Sequence, residues 1–331
     1  MFPKHLISAL AFWGMLGLIA PGAIAQTSVP WAIAAEAPKY SVGDTWRIRY
    51  SNGIRSVRRF IKEQGGVLMF DLEHSWPNGN RMRGGLELSR DLSIVRMLGP
   101  DGAETRRFDP QSLGLRFPLE VGKQWEDECR RFDRGQLVGI FKGQYTVVVR
   151  EEIVTSAGRF DTFRVEGQTF EVGDPALRWR FTHWYAPDAG TEVRIESVEP
   201  NGSRSVVELV EFTPAGSPVP AFPGAEKFVG RWEGHWKETL LATALTIEKV
   251  EGRTASIVYW RGASRDPVFQ APSQQRSEGR FTDAATLRLD VWDETAGDWA
   301  DLTYTLNRDG TLTGKWRRGD FVQSAILERQ P

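Results

Sequence analysis

Apolar residues in this chain recur at every second position, and that period decides most of what the chain can become. Trp46, Ile48 and Tyr50 alternate with Arg47 and Arg49. Tyr145, Val147 and Val149 alternate with Thr146 and Val148. Leu177, Trp179, Phe181, His183 and Tyr185 alternate with Arg178, Arg180, Thr182 and Trp184. Leu287, Leu289 and Val291, then Leu302, Tyr304 and Leu306, repeat the pattern near the C-terminus. Successive side chains of a strand point to opposite faces, so these runs predict antiparallel sheet with one face buried and the other wet. Long helical periodicity is missing. Pro100-Asp101-Gly102, Pro200-Asn201-Gly202 and Arg308-Asp309-Gly310 supply hairpin turns, because Asn or Asp before Gly tolerates positive φ. The expected fold class is all-β.

Proline then divides the sheet. Thr213 to Gly224 holds Pro214, Pro218, Pro220 and Pro223, too many for a strand ladder, and residues 213–226 read as a stiff linker with an exposed, unpaired backbone. Before it, residues 38–212 form one domain; after it, 227–331 form a smaller one. The larger domain carries a degenerate repeat. Val42-Gly43-Asp44-Thr45-Trp46 returns as Val121-Gly122-Lys123-Gln124-Trp125. Val95-Arg96 leads to Gly99-Pro100-Asp101-Gly102, as Val193-Arg194 leads to Glu199-Pro200-Asn201-Gly202. Nine to twelve strands in one antiparallel sheet must curl, giving a half-barrel or open barrel.

The N-terminus predicts export. Lys4, the apolar run from Leu6 to Ile19, and Ala23-Ile24-Ala25 match the three parts of a signal peptide over residues 1–25, with 26–37 as an extension. Gln26, not a cysteine, stands directly after the cleavage point, so no lipobox is read there, and no later run is apolar enough to span a membrane. A periplasmic or secreted protein is expected. The net charge of -1 argues against nucleic acid as a partner. The doublets Arg58-Arg59, Arg106-Arg107, Arg130-Arg131 and Arg317-Arg318 are scattered and read as solvated strand and turn positions. Cys129 is the single cysteine, so no intramolecular disulfide forms. Asp127 and Glu128 beside it work against a reactive thiolate.

Two resemblances sharpen the architecture. Val42-Gly43-x-x-Trp46, Phe117-Pro118-Leu119-x-Val121-Gly122-x-x-Trp125, Ser156-Ala157-Gly158-Arg159-Phe160-Asp161-Thr162-Phe163 and Trp184-Tyr185-Ala186-Pro187-Asp188-x-Gly190 resemble a family of periplasmic domains of unknown function. That family is related in shape to the lipoprotein carriers of the Gram-negative periplasm. The resemblance covers roughly residues 38–213 and implies an incomplete β-barrel plugged by a helix or loop, with no activity attached. Gly230-Arg231-Trp232 resembles the G-x-W that opens small calycin, or lipocalin-like, barrels. In those barrels a terminal Arg covers the first-strand Trp, which casts Arg329, inward beside Leu327, against Trp232. Eight short strands fit between Phe228 and Arg329, enough to close.

Catalytic chemistry is harder to find. His74, His183 and His235 share no metal-ligand spacing, and no metal or cofactor is expected. His183 reads as a hydrogen-bonded histidine at the sheet rim. Glu126-Asp127-Glu128 and Glu151-Glu152 could hold a carboxylate pair but more often lie on exposed edges or turns. Tryptophan is the unusual element, 13 in all, and most read as core. Trp184 is the exception, on the polar face with Arg178 and Arg180. The candidate ligand-binding residues are Trp179, His183, Trp184, Tyr185, Trp232, Trp236, Tyr304 and Trp316. Trp232, Arg329, Trp46 and Trp125 are assigned structural roles. The function expected is non-enzymatic binding of an apolar or amphipathic ligand, or of an envelope partner protein. The alternatives are a carbohydrate-binding module and an extracytoplasmic enzyme or enzyme subunit using acidic residues.

Overall fold

The computed structural model describes residues 34–112, 114–217, 222–262, 272–293 and 297–331. The expected signal peptide, most of the extension and the middle of the linker lie outside the described residues. Strands dominate, and two closed antiparallel barrels account for nearly all of them.

The larger barrel has twelve strands. Its first six are β2 (Thr45–Tyr50), β3 (Arg55–Gln64), β4 (Val67–Ser75), β5 (Arg81–Ser89), β6 (Ile94–Leu98) and β7 (Glu104–Asp109). The other six are β9 (Gln124–Asp133), β10 (Gln136–Thr155), β11 (Gly158–Glu171), β12 (Arg178–Ala186), β13 (Thr191–Val198) and β14 (Arg204–Thr213). Each run is an up-and-down meander. The curvature expected of this sheet is carried through to closure, because β14 pairs with β2 and β7 pairs with β9. The two runs open alike. Gly43 and Gly122 both take positive φ, and their N–H groups donate to Phe60 O and Val147 O on the next strand. Phe60 N and Val147 N donate back to Asp44 O and Lys123 O. Each Trp then donates its indole N–H to a loop carbonyl, Trp46 to Ala189 O and Trp125 to Gly114 O.

Twelve strands enclose more space than their own side chains fill. Segments outside the strands supply the rest. The loop after β7 brings in Leu115 and Phe117, then β8 (Leu119–Glu120) pairs with β1 (Ala34–Ala35). Leu115, Leu119 and Ala35 are buried against Tyr145, Val147, Phe163, Val165 and Tyr185. Tyr40 packs on Trp46, Phe60 and Phe70, and its hydroxyl donates to Gly190 O at 2.5 Å. Among the described residues a loop, not a helix, plugs this barrel.

The smaller barrel comprises β15 (Gly230–Trp236), β16 (Ala242–Glu251), β17 (Thr254–Arg261), β18 (Ser273–Asp283), β19 (Thr286–Asp293), β20 (Asp298–Leu306), β21 (Leu312–Arg318) and β22 (Phe321–Arg329). It closes by pairing β15 with β22, with Trp232 opposite Arg329. A short 3-10 helix, Ala225–Phe228, inserts Phe228 under the barrel, where Trp232 donates its indole N–H to Phe228 O at 2.8 Å. The Arg329 guanidinium stands 5.6 Å from the Trp232 ring and donates to Val229 O. Arg329 is exposed rather than inward, because β22 ends at the barrel rim.

The linker is less free than proline content implies. Ala215 N donates to Asp44 Oδ1 at 2.6 Å, Ser217 N to Pro214 O, and Ala225 N to Phe222 O. The first bond ties its N-terminal end to the larger barrel, and the other two close turns within the linker.

Candidate functional site

The barrels meet through charge. Arg49, on the outer face of β2, bonds Glu208 at 3.0 Å and Asp301 at 2.9 Å, with Asp290 at 3.5 Å. Arg55 stacks 4.6 Å from the Trp299 ring and donates to Ser277 Oγ and to Asp290 O. Arg47 bridges Glu211 and Glu278, and Arg280 returns to Glu211. Gly53, at φ +84°, lets the β2–β3 turn approach Trp292: an added Cβ would stand 2.7 Å from its ring. Ala34 to Pro331 accordingly form one compact unit. Two carboxyl groups converge here, since Asp290 and Asp301 face each other across β19 and β20. Burial pushes Asp290 up more than Arg49 and Arg55 pull it down. Both are engaged by arginines of the larger barrel, so the pair works as an interface contact.

The acidic runs singled out in the sequence do not converge. Asp127 is held by Arg116, Glu128 by Lys142 and Glu126 by Gln144. Glu151 accepts from Arg164 and Trp184, and Glu152 pairs with Arg159. No cluster of three or more metal-binding side chains occurs among the described residues.

Of the eight candidate ligand residues, the fold brings two together at one opening. The mouth of the smaller barrel, opposite its sealed end, holds a cavity of about 140 Å³. Trp236, Leu241, Tyr259, Trp316 and Phe321 line it, with Gln323, Arg261, Asp293 and Arg318. Period 2 explains the membership: Trp236 follows Trp232 and Gly234 on the inward face of β15, and Trp316 follows Leu312 and Gly314 on β21. One wall is charged. The Asp293 carboxylate is buried between Arg318 at 3.1 Å and Arg261 at 3.4 Å, and Arg318 lies 5.3 Å from the Trp316 ring. Among the described residues, two cations to one anion leave that wall net positive. Burial pushes the Tyr259 hydroxyl up, against smaller opposing effects of Thr243 and Trp236.

Tyr304 is fully buried in the same barrel, its pKa driven well up by burial. Its hydroxyl, beside Thr243, makes no hydrogen bond of good geometry. Trp232 belongs to the sealed end. The other four candidates sit on β12 of the larger barrel and do not form one site. His183 and Tyr185 are buried inward, with His183 Nδ1 2.8 Å from Glu192 Oε1. This places His183 in the interior rather than at the rim, because two neighbouring strands cover it. Trp179 donates to Glu199 at 2.5 Å and Trp184 to Glu151 at 2.9 Å. Arg194 covers the Trp184 ring at 5.8 Å.

A larger trough, about 800 Å³, lies across β9 to β13. Its exposed rows carry Gln, Glu, Thr and Arg, and these bond one another: Arg178 to Gln168, Gln168 to Gln144, and Gln144 to Glu126. That row is satisfied within the protein, and the trough, which Trp125, Tyr145 and Phe181 also line, is open to solvent.

Sequence reading missed Leu241, Tyr259, Phe321 and the Arg261–Asp293–Arg318 wall. Tyr259 follows Ile257 on the inward face of β17, a period-2 signal that was available. The ion triad draws on three strands and left no local signal.

No protein-family model matches this chain, and no curated protein matches it. Among solved structures, one described as a lipoprotein from Parabacteroides distasonis shares 13% identity at a TM-score of 0.38, covering 54% of this chain and 99% of its own. One described as an exported protein with a YmcC-like fold, from Bacteroides fragilis, shares 15% identity at a TM-score of 0.36 with the same coverage. The hypothetical lipoprotein YmcC from Escherichia coli shares 8% identity at a TM-score of 0.33, covering 52% of this chain and 85% of its own.

Proposed function

We propose that this is an exported envelope protein that binds a small amphipathic ligand at the mouth of its smaller barrel. One observation carries the reading: an aromatic cavity and a net-positive wall share one opening, while the other end of the barrel is sealed. Concave apolar sites with a few placed polar groups are the usual form of small-molecule sites. The volume, about 140 Å³, suits an apolar end group on the order of a benzene ring. The polar end of the ligand would face Arg261 and Arg318. The N-terminal pattern at residues 1–25 supports the compartment, and cleavage after Ala25 would give a mature N-terminus at Gln26.

Native mass spectrometry of protein purified from a periplasmic extract tests both parts. The expected result is the mass of a chain starting at Gln26, carrying a small organic adduct that Trp316→Ala and Trp236→Ala lose and Trp125→Ala keeps. A full-length chain in the membrane fraction removes the compartment; an adduct indifferent to both mouth tryptophans removes the site.

A further inference from the structure

The inner face of β3 and β4 holds polar groups that the protein leaves unsatisfied. Ser56 and Arg58 lie two residues apart on one face of β3, and Ser56 pairs across the ladder with His74. Ser56 Oγ, Arg58 Nε and His74 Nδ1 are buried atoms without a hydrogen-bond partner. Ser56 itself is 2% exposed. Tyr50 flanks them from β2, its ring 6.4 Å from His74. Burial pushes the Tyr50 hydroxyl up, opposed by the Arg58 charge and by Ser56 close by, though outside hydrogen-bond geometry.

Arg58 is the unexpected member, since the doublet Arg58-Arg59 reads as solvated. Alternation sends Arg59 out and Arg58 in. Its guanidinium donates to Thr191 Oγ1 at 2.7 Å and stands 5.6 and 5.5 Å from the rings of Trp46 and Phe70. Among the described residues no carboxylate lies within ion-pair distance of it. Several other half-buried arginines of this barrel are matched to carboxylates, Arg55 at the interface excepted: Arg106 and Arg131 share Asp133, Arg116 takes Asp91 and Asp127, and Arg150 takes Asp161. Buried polar groups are nearly always satisfied, and an unmatched cation is among the costlier exceptions. Here the unmatched guanidinium carries one orphan, Nε, and two more, Ser56 Oγ and His74 Nδ1, lie on the same face of β3 and β4.

We infer that this corner of the larger barrel binds a compact oxyanion, the carboxylate or phosphate group of a small molecule, through Arg58, Ser56 and His74. Arg58 Nε–H and the Ser56 hydroxyl donate to the oxyanion, and the guanidinium supplies the matching charge. Neutral His74, its pKa lowered by burial, donates from Nδ1 or accepts there from a protonated ligand oxygen. Trp76, 6.1 Å from His74, and Tyr50 offer ring surface to an organic remainder. The site is independent of the smaller barrel's mouth.

Proton–nitrogen correlation spectra of the full chain test it through the Arg58 Nε–H signal, identified by its loss in Arg58→Lys. The probes are inorganic phosphate, octanoate and, as the uncharged control, 1-octanol. The expected result is a saturable shift with phosphate, octanoate or both, and none with octanol. Octanoate alone assigns an organic carboxylate, and phosphate alone a phosphate. Arg58→Gln, followed through the His74 imidazole signals, should weaken binding about tenfold to a hundredfold, as loss of a charge-assisted hydrogen bond would. Ser56→Ala should weaken it by roughly tenfold or less. Trp316→Ala should leave the shifts unchanged, which separates this site from the mouth. A signal that moves for no oxyanion, or equally for octanol, overturns the inference, as does unchanged affinity in Arg58→Gln. Should Arg58→Gln not fold, the wild-type titrations with Ser56→Ala decide the matter alone.

Discussion

The two barrels fill a closed sheet by opposite means. Eight strands make a barrel narrow enough for its own inward residues, so the smaller one is packed mainly by period 2, with Ala225, Phe228 and Leu241 added from short segments flanking β15. Twelve strands make a wider one, which takes Leu115, Phe117, Ala35 and Tyr40 from segments outside the strands and carries polar side chains within. A narrow barrel is stabilised by local alternation. A wide one depends on what distant chain segments bring to it.

The largest effects should come from the two fully buried indoles. Trp232→Ala and Trp46→Ala each remove a large side chain whose N–H is bonded inside, and each should cost about 3–5 kcal/mol. Trp125→Ala, at the matching but half-buried position of the second run, should cost less, about 1–3 kcal/mol. Urea unfolding followed by near-ultraviolet circular dichroism measures all three. If Trp125→Ala matched Trp46→Ala, the two six-strand runs would be energetically equivalent despite their different burial.

Arg55→Ala comes next. It strips the interface of a stacked, buried guanidinium and should cost about 2–4 kcal/mol. The same change should expose residues 213–226 to limited proteolysis, whereas the wild-type chain, if nicked there, should stay associated on a sizing column at moderate salt. Dissociation of the nicked wild type would mean that the barrels are independent after all.

Two aspartates should titrate stability in opposite directions. Asp290 is raised by burial, so its stabilising contribution is present below the unfolded carboxylate range and lost as pH rises through its folded value. Asp133 is held low by hydrogen bonds from Arg131 and Arg106, so its contribution is present above that range and lost on acidification. Solvent screens this hairpin clamp to about 1 kcal/mol or less. Melting temperatures from about pH 3 to 8 should therefore lose their acid-side slope in Asp133→Asn and their neutral-side slope in Asp290→Asn. Identical profiles in both variants would put the pH dependence elsewhere.

The smallest expected effect is at the barrel seam. Arg329 is exposed, so its contact with Trp232 is worth about 0.5–1 kcal/mol, and Arg329→Ala should cost that much. Arg329→Lys should recover part of it, since an ammonium keeps the charge but not the planar stacking. Arg317→Ala, on an exposed side chain bonded only to Gly319 O among its described contacts, should cost about 0.5 kcal/mol or less. Equal costs at 329 and 317 would leave the seam closed by backbone pairing alone.

The pairing of Trp232 with Arg329 is implied by the resemblance to calycin barrels; alternation and turn chemistry are enough to set the all-β class and the one face shared by Trp232, Gly234 and Trp236. The class and the shared face rest on residues related by a two-residue period or by a short hairpin, which sequence displays directly. The interior of the larger barrel was not legible in that way. Arg58 meets Thr191 across 133 positions and Arg49 meets Asp301 across 252, so a doublet that looks solvated places one arginine inside and an arginine in an alternating strand becomes an interface. Alternation says which residues share a face, but not what the closed sheet will bring against that face. Only the tertiary structure decides that, because the cost of burying a charge depends on the partner that arrives from elsewhere in the chain.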